Sequence, residues 1–473
     1  MFNLKQHKTT VRTELIAGIT TFMAMAYILM VNAGMFSALG DGYYNAVYIA
    51  TAISAVFGTL LIGLLANLPL AQASGMGLNA FFVFSVCIGM NFTYANALVM
   101  VLVDGIVFLL LTVTGLRRLI FDAIPKAVKA AIAPGIGLFI AFLGLQNSGI
   151  VVNSDSTLVD LHSFNIIFGH TTWAEIMPLL ITIAALIAIG AMSKKKIKDA
   201  VFWGIIGGAV LYYALGLLTI DGFYASNVQS KLSLNIIQPF RDFFNISFGK
   251  VFTEGFNFSE YIAANGVGSF AATFIASMLA FCMVDMFDTL GTLYGACSAG
   301  NLLDKDGNVP NMNKAMFADA AATCFGAVCG TSTVTTFVES SAGIAEGGKT
   351  GLSSVFTAAM FFIAMFLAPI AALIPSCATA ASLIFVGILM IGGVKEIDWS
   401  DASAAVPAFM TMAIMPAAKG DEDKISTGIA RLLEEDPTLV YENNAETKQM
   451  TLSAMGDIHF AVVVSKLKSR FGT

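Results

Sequence analysis

The sequence predicts an all-α polytopic membrane protein of two inverted seven-span repeats, the last repeat truncated, followed by a small α/β fragment. Three observations predict this fold. Hydrophobic residues make up 57% of the 473-residue chain and charged residues 12%, whereas about 25% of residues are charged in soluble globular domains. Apolar segments follow one another from residue 14 to residue 416. Two of these segments are interrupted by polar residues at matching places in the series.

Thirteen apolar segments are predicted to cross the membrane as helices. About 20 apolar residues span a hydrocarbon core of roughly 30 Å, and shorter segments are tolerated where other helices bury them. The last segment is short. The predicted spans are 14–33, 44–66, 76–90, 94–115, 127–147, 174–192, 200–220, 266–296, 315–329, 333–346, 351–374, 378–394 and 402–416.

The basic residues predict a cytoplasmic N-terminus and a location in the cell membrane. With this orientation, fifteen Lys and Arg residues lie on the cytoplasmic side. The only three on the other side belong to a long loop, and long loops contribute little to the positive-inside rule. The first residues lack the apolar core and cleavage site of a signal peptide, so the first span is expected to be its own insertion signal. The three exceptions are Lys231, Arg241 and Lys250.

The third and tenth spans differ from ordinary membrane helices. They contain "PLAQASGMGLNAFF" and "GTSTVTTFVESSAGIAEGGKTG", which are short and rich in Gly, Ser and Thr. They stand seven spans apart, and a unit with an odd number of crossings must recur inverted. Paired broken segments in inverted halves indicate a transporter's central site. The β-branched run "TSTVTTFV" predicts extended backbone. The alternative is two loosely packed helices rich in small residues.

Five acidic residues lie away from the ends of predicted spans, and no Lys or Arg does. Intramembrane carboxylates are costly, so each is a candidate for function. Carboxylates accept hydrogen bonds from N–H groups, which favours a neutral or cationic ligand over an anion. Removal from water favours the protonated form of a carboxylate, so one of these acids could couple transport to a proton. The five are Asp104, Asp285, Asp288, Asp319 and Glu339.

The spacing of these residues predicts a central pocket. Asp285, Asp288 and Thr292 recur at three- and four-residue steps and share one helix face. Asn79 occupies the place in the third span that Glu339 occupies in the tenth. We therefore expect Asp288, Glu339 and Asn79 to form the pocket.

The other acids have structural alternatives. Asp285 is expected to anchor the helix face that Asp288 uses, and it is also a candidate for proton coupling. Asp104 is expected to hold a helix contact or a backbone group. Asp319 could serve helix packing or tune a neighbouring acid. The six cysteines lie in or beside apolar segments, without a CxxC motif or a nearby His. They indicate small core residues, and no metal, cofactor or enzymatic constellation is predicted.

Four motifs carry a resemblance to a known family. "TTFMAMAYILMVN", "GMGLNAFF", "DMFDTLGTLYG" and "STVTTFVESSAGIAEGGKTGL" resemble the adenine, guanine and hypoxanthine permeases of the nucleobase/cation symporter superfamily. The resemblance covers about residues 1–416. It implies a core domain, spans 14–115 and 266–374, and a gate domain, spans 127–220 and 378–416, the latter incomplete. It further implies proton-coupled purine uptake by an elevator-like movement of core against gate.

The resemblance also implies residue roles. Asp288 would bind the base or couple the proton, Glu339 would bind the purine, and Asn79 would lie near the site. Thr336 and Phe337 precede Glu339 in its motif and complete the implied substrate-binding set. Thr292 stands where relatives in the superfamily carry a His or an acid. The implied partners are a purine nucleobase, a proton or another cation, the lipid bilayer and a second copy of the chain, with no nucleic acid.

The last 55 residues have a different composition. They hold 16 charged residues, against 40 in the first 418. Helices are predicted over 421–435 and from residue 456, with two strands between them. The motif "KGDEDKISTGIARLLEEDPTL" resembles domain III of elongation factor G. No GxxxxGK[ST] loop occurs in the chain, so no GTPase activity is implied. We expect residues 417–473 to be a fragment joined to the membrane domain by an artefact.

Three other interpretations remain open at this stage. The chain could be an anion transporter of the same fold, although acids stand where a cation would be expected. It could instead carry another nucleobase, such as uracil or xanthine. The third is a non-functional chimera containing a translation-factor fragment.

Overall fold

The computed structural model contains two compact units, Met1–Pro416 and Ala417–Thr473. Each unit is described by itself. The residues that the structure describes are 2–114, 126–154, 158–164, 171–195, 197, 199–229, 235–300, 302–304, 308–414, 440–444 and 449–453.

The described residues in the first half of the membrane unit form eight α-helices and three short strands. Span one is two helices that meet at Ala26. π-Helical turns continue α3 over Ile62–Ala66 and α4 over Phe81–Gly89. The elements are α1 (Val11–Met25), α2 (Tyr27–Phe36), α3 (Tyr43–Leu61), β1 (Gln72–Ser74), α4 (Met76–Ala80), α5 (Tyr94–Thr114), α6 (Lys126–Asn147), β2 (Val151–Ser154), β3 (Leu158–Leu161), α7 (Trp173–Lys194) and α8 (Ala200–Thr219).

The second half begins with short helices that precede a long kinked helix. The kink in that helix is at Gly266, whose φ of 82° is left-handed. The helix starts before the predicted span at residue 266. The elements are α9 (Ile237–Asp242), α10 (Lys250–Thr253), α11 (Ser259–Ala299), α12 (Met312–Cys329), β4 (Val334–Thr336), α13 (Ser340–Ala345), α14 (Gly351–Ala364), α15 (Ala368–Ala371), α16 (Ser376–Met390) and α17 (Ala402–Ile414).

Every predicted span corresponds to an element of this series. Within the described residues, seven helices are long and apolar enough to cross a membrane. Each of the other six predicted spans corresponds to a shorter, broken or less apolar element. The membrane unit is therefore an all-α polytopic architecture, and its small strands lie at the breaks and in one loop.

The third and tenth spans meet as an antiparallel pair of strands inside the protein. Gln72 pairs with Thr336, Ala73 with Thr335 and Ser74 with Val334. All six residues are buried. The paired strands satisfy one another's backbone groups, as extended backbone away from water requires. The strand expected in "TSTVTTFV" is confirmed, and the alternative of two loosely packed helices is wrong.

The packing of the helices follows the inverted repeat. A shift of seven spans converts the pair α5 and α12 into the pair α14 and α3, and both pairs are in contact. The same shift converts α6 and α17 into α16 and α7, which are also in contact. Equivalent helices in the two halves therefore have equivalent neighbours, and the elements also occur in the same order.

Small residues allow α6 and α16 to cross closely. A Cβ at Gly387 of α16 would clash with the carbonyl oxygen of Gly137 and would lie 2.7 Å from Cβ of Ala141. Small residues at such crossings allow helix backbones to approach within a membrane. This crossing joins the fifth span to its counterpart, the twelfth.

The C-terminal unit contains the two strands expected there. β5 (Val440–Asn444) and β6 (Gln449–Ser453) pair antiparallel, with Glu442 opposite Thr451. The helices predicted over 421–435 and from residue 456 lie outside the described residues.

Candidate functional site

Two of the predicted acids lie on either side of strand β4, where the tenth span is broken. Asp288 belongs to α11, and Glu339 lies between β4 and α13. Thr335 of β4, which binds Asp288, stands four residues before Glu339. The structure thus brings together the two acids that the sequence favoured most strongly.

The carboxylate of Asp288 is held by the strand that it faces. Its Oδ2 accepts a hydrogen bond from Oγ1 of Thr335, at 3.2 Å. Gly75 approaches from the third span, and a Cβ there would lie 3.2 Å from Thr335 Oγ1 and 3.7 Å from Asp288 Oδ2. Because Gly75 has no side chain, the backbone of the third span lies close to Asp288, which Thr335 of the tenth span also contacts.

The carboxylate of Glu339 is held by a residue of span one. Tyr27 donates its hydroxyl to Oε1 of Glu339, at 2.6 Å. Tyr27 is the first residue of α2, directly after the break at Ala26, and its side chain is 1% exposed. Our sequence reasoning missed Tyr27. A hydroxyl within the apolar run "MAMAYILMV" was the available signal, because a buried Tyr O–H needs an acceptor.

Exposure divides the five predicted acids into two groups. Asp104, Asp285 and Asp319 have no exposed surface. Asp288 and Glu339 are partly exposed. Only an acid that solvent reaches can exchange a ligand or a proton directly, so the geometry favours these two.

Asp319 joins three elements of the core. Its Oδ1 accepts from Nε2 of Gln72 at 3.2 Å, and its Oδ2 accepts from Oγ1 of Thr289 at 2.8 Å. Gln72 also donates to Oγ1 of Thr336, at 3.3 Å. These bonds tie β1 and β4 to α11 and α12. Gln72 is a second residue that our sequence reasoning missed, and nothing local distinguishes it.

Asn79 is engaged within its own half-helix. Its Oδ1 accepts from Oγ of Ser74 at 2.9 Å, and its Nδ2 donates to the Ser74 carbonyl oxygen at 3.3 Å. Asn79 has no exposed surface. In this structure its amide therefore holds the turn between β1 and α4.

The remaining predicted residues are placed around the two acids. Thr336 and Phe337 are 1% and 6% exposed. Thr292 donates to the carbonyl oxygens of Asp288 and Thr289, at 2.7 and 3.1 Å. Its hydroxyl is thus bound to its own helix, as is common for Ser and Thr in membrane helices.

The third residue that was not predicted from the sequence is an acid buried at the start of α1. Glu14 has no exposed surface and accepts hydrogen bonds from the backbone amides of Lys349, Thr350 and Ser353, at 3.1, 3.4 and 3.2 Å. These amides begin α14, where unpaired N–H groups and the helix dipole favour an anion. Glu14 therefore links spans one and eleven.

The side chains around Asp288 and Glu339 provide oxygen atoms and no positive charge in the described part of the chain. Within the described residues, no Lys or Arg is buried, and no group of His, Cys, Asp and Glu side chains has the arrangement of a metal site. The site therefore presents carboxylate and hydroxyl oxygens, with no cationic partner in the described part of the chain.

A cavity of about 670 Å³ lies beside the C-terminal end of α2, the end of span one that is distant from the N-terminus. We call it the distal cavity. It is lined by Met30 and Val31 of α2, which follow Tyr27 by three and four residues, and by residues of α3, α6, α9 and α16. None of the five predicted acids lines it.

Family models match both parts of the chain. The model described as Permease family matches residues 12–420, and that of Elongation Factor G, domain III, matches residues 406–473. Residues 406–420 are thus matched by both, and they include the second half of α17. The resemblances stated from the sequence motifs are confirmed.

Two of the similar proteins are described as a guanine/hypoxanthine permease and an adenine permease. A guanine/hypoxanthine permease of Bacillus subtilis, PbuO, is 37% identical over 437 residues, covering 91% of each chain. An adenine permease of Escherichia coli, AdeQ, is 34% identical and covers 90% of this chain and 88% of its own.

A solved structure with the same fold is the transmembrane domain of the cyanobacterial bicarbonate transporter BicA. Its TM-score is 0.61 at 15% identity, and the match covers 88% of this chain and 96% of that domain. This likeness supports the inverted-repeat fold alone. From the family match over most of its length and its series of apolar helices, the chain belongs to the Permease family of multi-pass membrane transporters.

Proposed function

We propose that this protein imports purine nucleobases together with a proton. The observation that carries the proposal is the pair Asp288 and Glu339, two partly exposed acidic residues beside a break in the tenth span. The descriptions of the two relatives, permeases for guanine/hypoxanthine and for adenine, support a purine as the substrate.

The chemistry of the site suits a neutral heterocycle with N–H donors. A purine base carries ring N–H groups, and adenine and guanine carry an exocyclic amino group as well. Carboxylate oxygens accept such hydrogen bonds. An anionic substrate would face two carboxylates with no buried cation among the described residues, so transport of an anion is disfavoured.

The same pair supports coupling to a proton. Two carboxylates close together in a site of low dielectric do not readily carry charge at the same time. We propose that one of them binds a proton when the purine is bound. Release of the purine would then be linked to release of the proton.

Transport would require one group of helices to move past the other. We propose a core of spans 14–115 and 266–374, which carries both acids, and a gate of spans 127–220 and 378–416. The N-terminus would be cytoplasmic, as the basic residues indicate. A homodimer and an elevator-like movement remain predictions.

The test is uptake of radiolabelled hypoxanthine, guanine and adenine by cells that lack their own purine permeases, at two external pH values. The chains to compare are the wild type, Asp288→Asn and Glu339→Gln. Asp41→Asn is the control, because Asp41 is an exposed acid outside the spans. A further chain carries the C-terminal segment of the B. subtilis relative in place of residues 417–473.

We expect saturable uptake that is faster at the lower external pH and is lost in both site variants but not in the control. Uptake that both site variants retain would contradict the site. Absence of purine uptake by both the wild type and the chain with the replaced segment would contradict the function.

A further inference from the structure

The distal cavity lies between two groups of helices. On one side are residues of α2 and α3, including Met30 and Asn45, and on the other are Ser376 and Thr379 of α16. Gln238 of α9 also lines it. At about 670 Å³ the cavity is within the range of small-molecule sites in proteins, roughly 300–1,000 Å³.

The lining of the distal cavity is polar but uncharged. It contains four amide side chains and several hydroxyls, and no Asp, Glu, Lys, Arg or His. Such a lining offers hydrogen bonds without attracting an ion of either sign, so it is suited to a neutral polar ligand.

Two of the amides are held in one orientation by a carboxylate behind them. Asp242 does not line the cavity, but its Oδ2 accepts from Nδ2 of Asn45 at 2.8 Å and its Oδ1 from Nε2 of Gln238 at 2.7 Å. A carboxylate accepts hydrogen bonds only, so each amide must turn its NH₂ group toward it. The amide oxygens are left as acceptors, and no described residue donates to either of them.

Aromatic and sulfur-containing side chains complete the lining. Phe84 and Tyr44 contribute rings, and Met30 and Met35 contribute thioethers. Tyr44 is held in place because its hydroxyl donates to the carbonyl oxygen of Ala371, at 3.1 Å. Rings and polarizable sulfur favour the faces of a flat heterocycle.

We infer that the distal cavity is a second binding site, which captures a neutral nucleobase before it reaches Asp288 and Glu339. Asn45 and Gln238 accept its N–H groups, and Phe84 and Tyr44 contact its ring. Asp242 is a positioning residue that keeps both amide oxygens available. The inference rests on the proposed function, which supplies the ligand class and places this side of the membrane outside the cell.

The cavity is also placed to act first in transport. Met30 is one helical turn from Tyr27, which binds Glu339. About one turn of α2 therefore separates the cavity lining from the residue that holds Glu339. The cavity is formed by both groups of helices, so their relative movement would open or close it.

The experiment measures protection of a cysteine introduced into the cavity of the full chain. Thr379→Cys is treated with a charged, membrane-impermeant thiol reagent, with and without hypoxanthine. The native cysteines are buried, except Cys324, which is partly buried. We expect hypoxanthine to slow modification several-fold, and to do so equally when Glu339→Gln has been added to disable the deeper site.

A second comparison changes the proposed acceptors. Asn45→Leu and Gln238→Leu should each raise the hypoxanthine concentration needed for half-protection by about tenfold. Gln146→Leu is the matched control, because it makes the same chemical change at a residue that does not line the cavity. If a leucine variant does not fold, Ser376→Trp replaces it in the comparison. This change narrows the cavity and leaves the hydrogen bonds of Asp242 in place.

The outcomes separate the two proposals. Protection that disappears with Glu339→Gln, or that survives both the leucine variants and Ser376→Trp, would overturn the second site and leave the proposed function intact. Purine uptake without any protection of the introduced cysteine would also overturn the second site and leave the proposed function intact. Absence of both purine uptake and protection would instead contradict the function on which the inference rests.

Discussion

Hydroxyl groups position both carboxylates of the candidate site. Thr335 binds Asp288 from within the tenth span, and Tyr27 binds Glu339 from the first. The two hydroxyls bind Oδ2 of Asp288 and Oε1 of Glu339. The fully buried Asp319 differs, because both of its oxygens already accept hydrogen bonds.

Tyr27→Phe tests the positioning of Glu339. Hydrogen bonds to charged groups contribute about 1.5–3 kcal/mol, so the variant is expected to weaken purine binding by roughly tenfold or more. Equilibrium binding to the purified protein measures this. Tyr48→Phe is the matched control, because Tyr48 is also buried but donates to a backbone carbonyl, that of Ala364. Equal effects of the two variants would count against a positioning role.

Asp319→Asn tests whether Asp319 supports helix packing or tunes a neighbouring acid. The variant replaces an acceptor of two hydrogen bonds by an amide whose NH₂ group must face one of the two donors. We expect a loss of about 1–3 kcal/mol in unfolding free energy, seen as a lower melting temperature, with no change in the pH profile of uptake. The exposed Asp41→Asn is the control. A shifted pH profile at unchanged stability would indicate tuning instead.

At the scale of elements, two of the contacts between the halves of the repeat join equivalent elements. Strands β1 and β4 pair at the breaks of spans three and ten, and α6 crosses α16 through small residues. Each contact joins an element to its own counterpart in the other half. The axis that relates the inverted repeats therefore passes close to both.

Gly387→Val tests the crossing of α6 and α16. The added side chain would meet the Gly137 carbonyl oxygen and the Ala141 Cβ, and overpacking typically costs about 1–3 kcal/mol. We expect a lower melting temperature. Gly190→Val in α7 is the control, because nothing lies within 4 Å of a Cβ at that position. A similar loss in both variants would point to helix propensity rather than to the crossing.

At the scale of the whole molecule, the chain contains two parts that match different family models. The membrane unit matches the Permease family, and the last residues match domain III of elongation factor G. The two units are separate compact bodies. The described residues that form the candidate site and line the distal cavity lie in the membrane unit.

Removal of residues 417–473 is expected to leave purine binding by the membrane unit unchanged within about twofold, because the residues assigned to the candidate site all lie in the membrane unit. Hypoxanthine binding to the shortened and full chains in the same detergent measures this. A tenfold loss on shortening would show that the C-terminal unit supports the site.

Much of the fold could be predicted because its signals are local. The thirteen apolar segments, the polar breaks and the acids within spans are each visible in about 20 consecutive residues. The seven-span offset between the breaks then indicated inversion. The two acids favoured from the sequence, Asp288 and Glu339, lie together at one break of the structure.

The amino-acid sequence by itself determined where the chain crosses the membrane, because hydrophobicity acts on each segment separately. The tertiary structure decided which polar groups meet. Tyr27 and Glu339 are 312 residues apart, and Gln72 and Asp319 are 247 apart. Neither pair has a local signal, since each depends on which helix faces are packed together. The distal cavity has the same origin, because its lining comes from both halves of the chain.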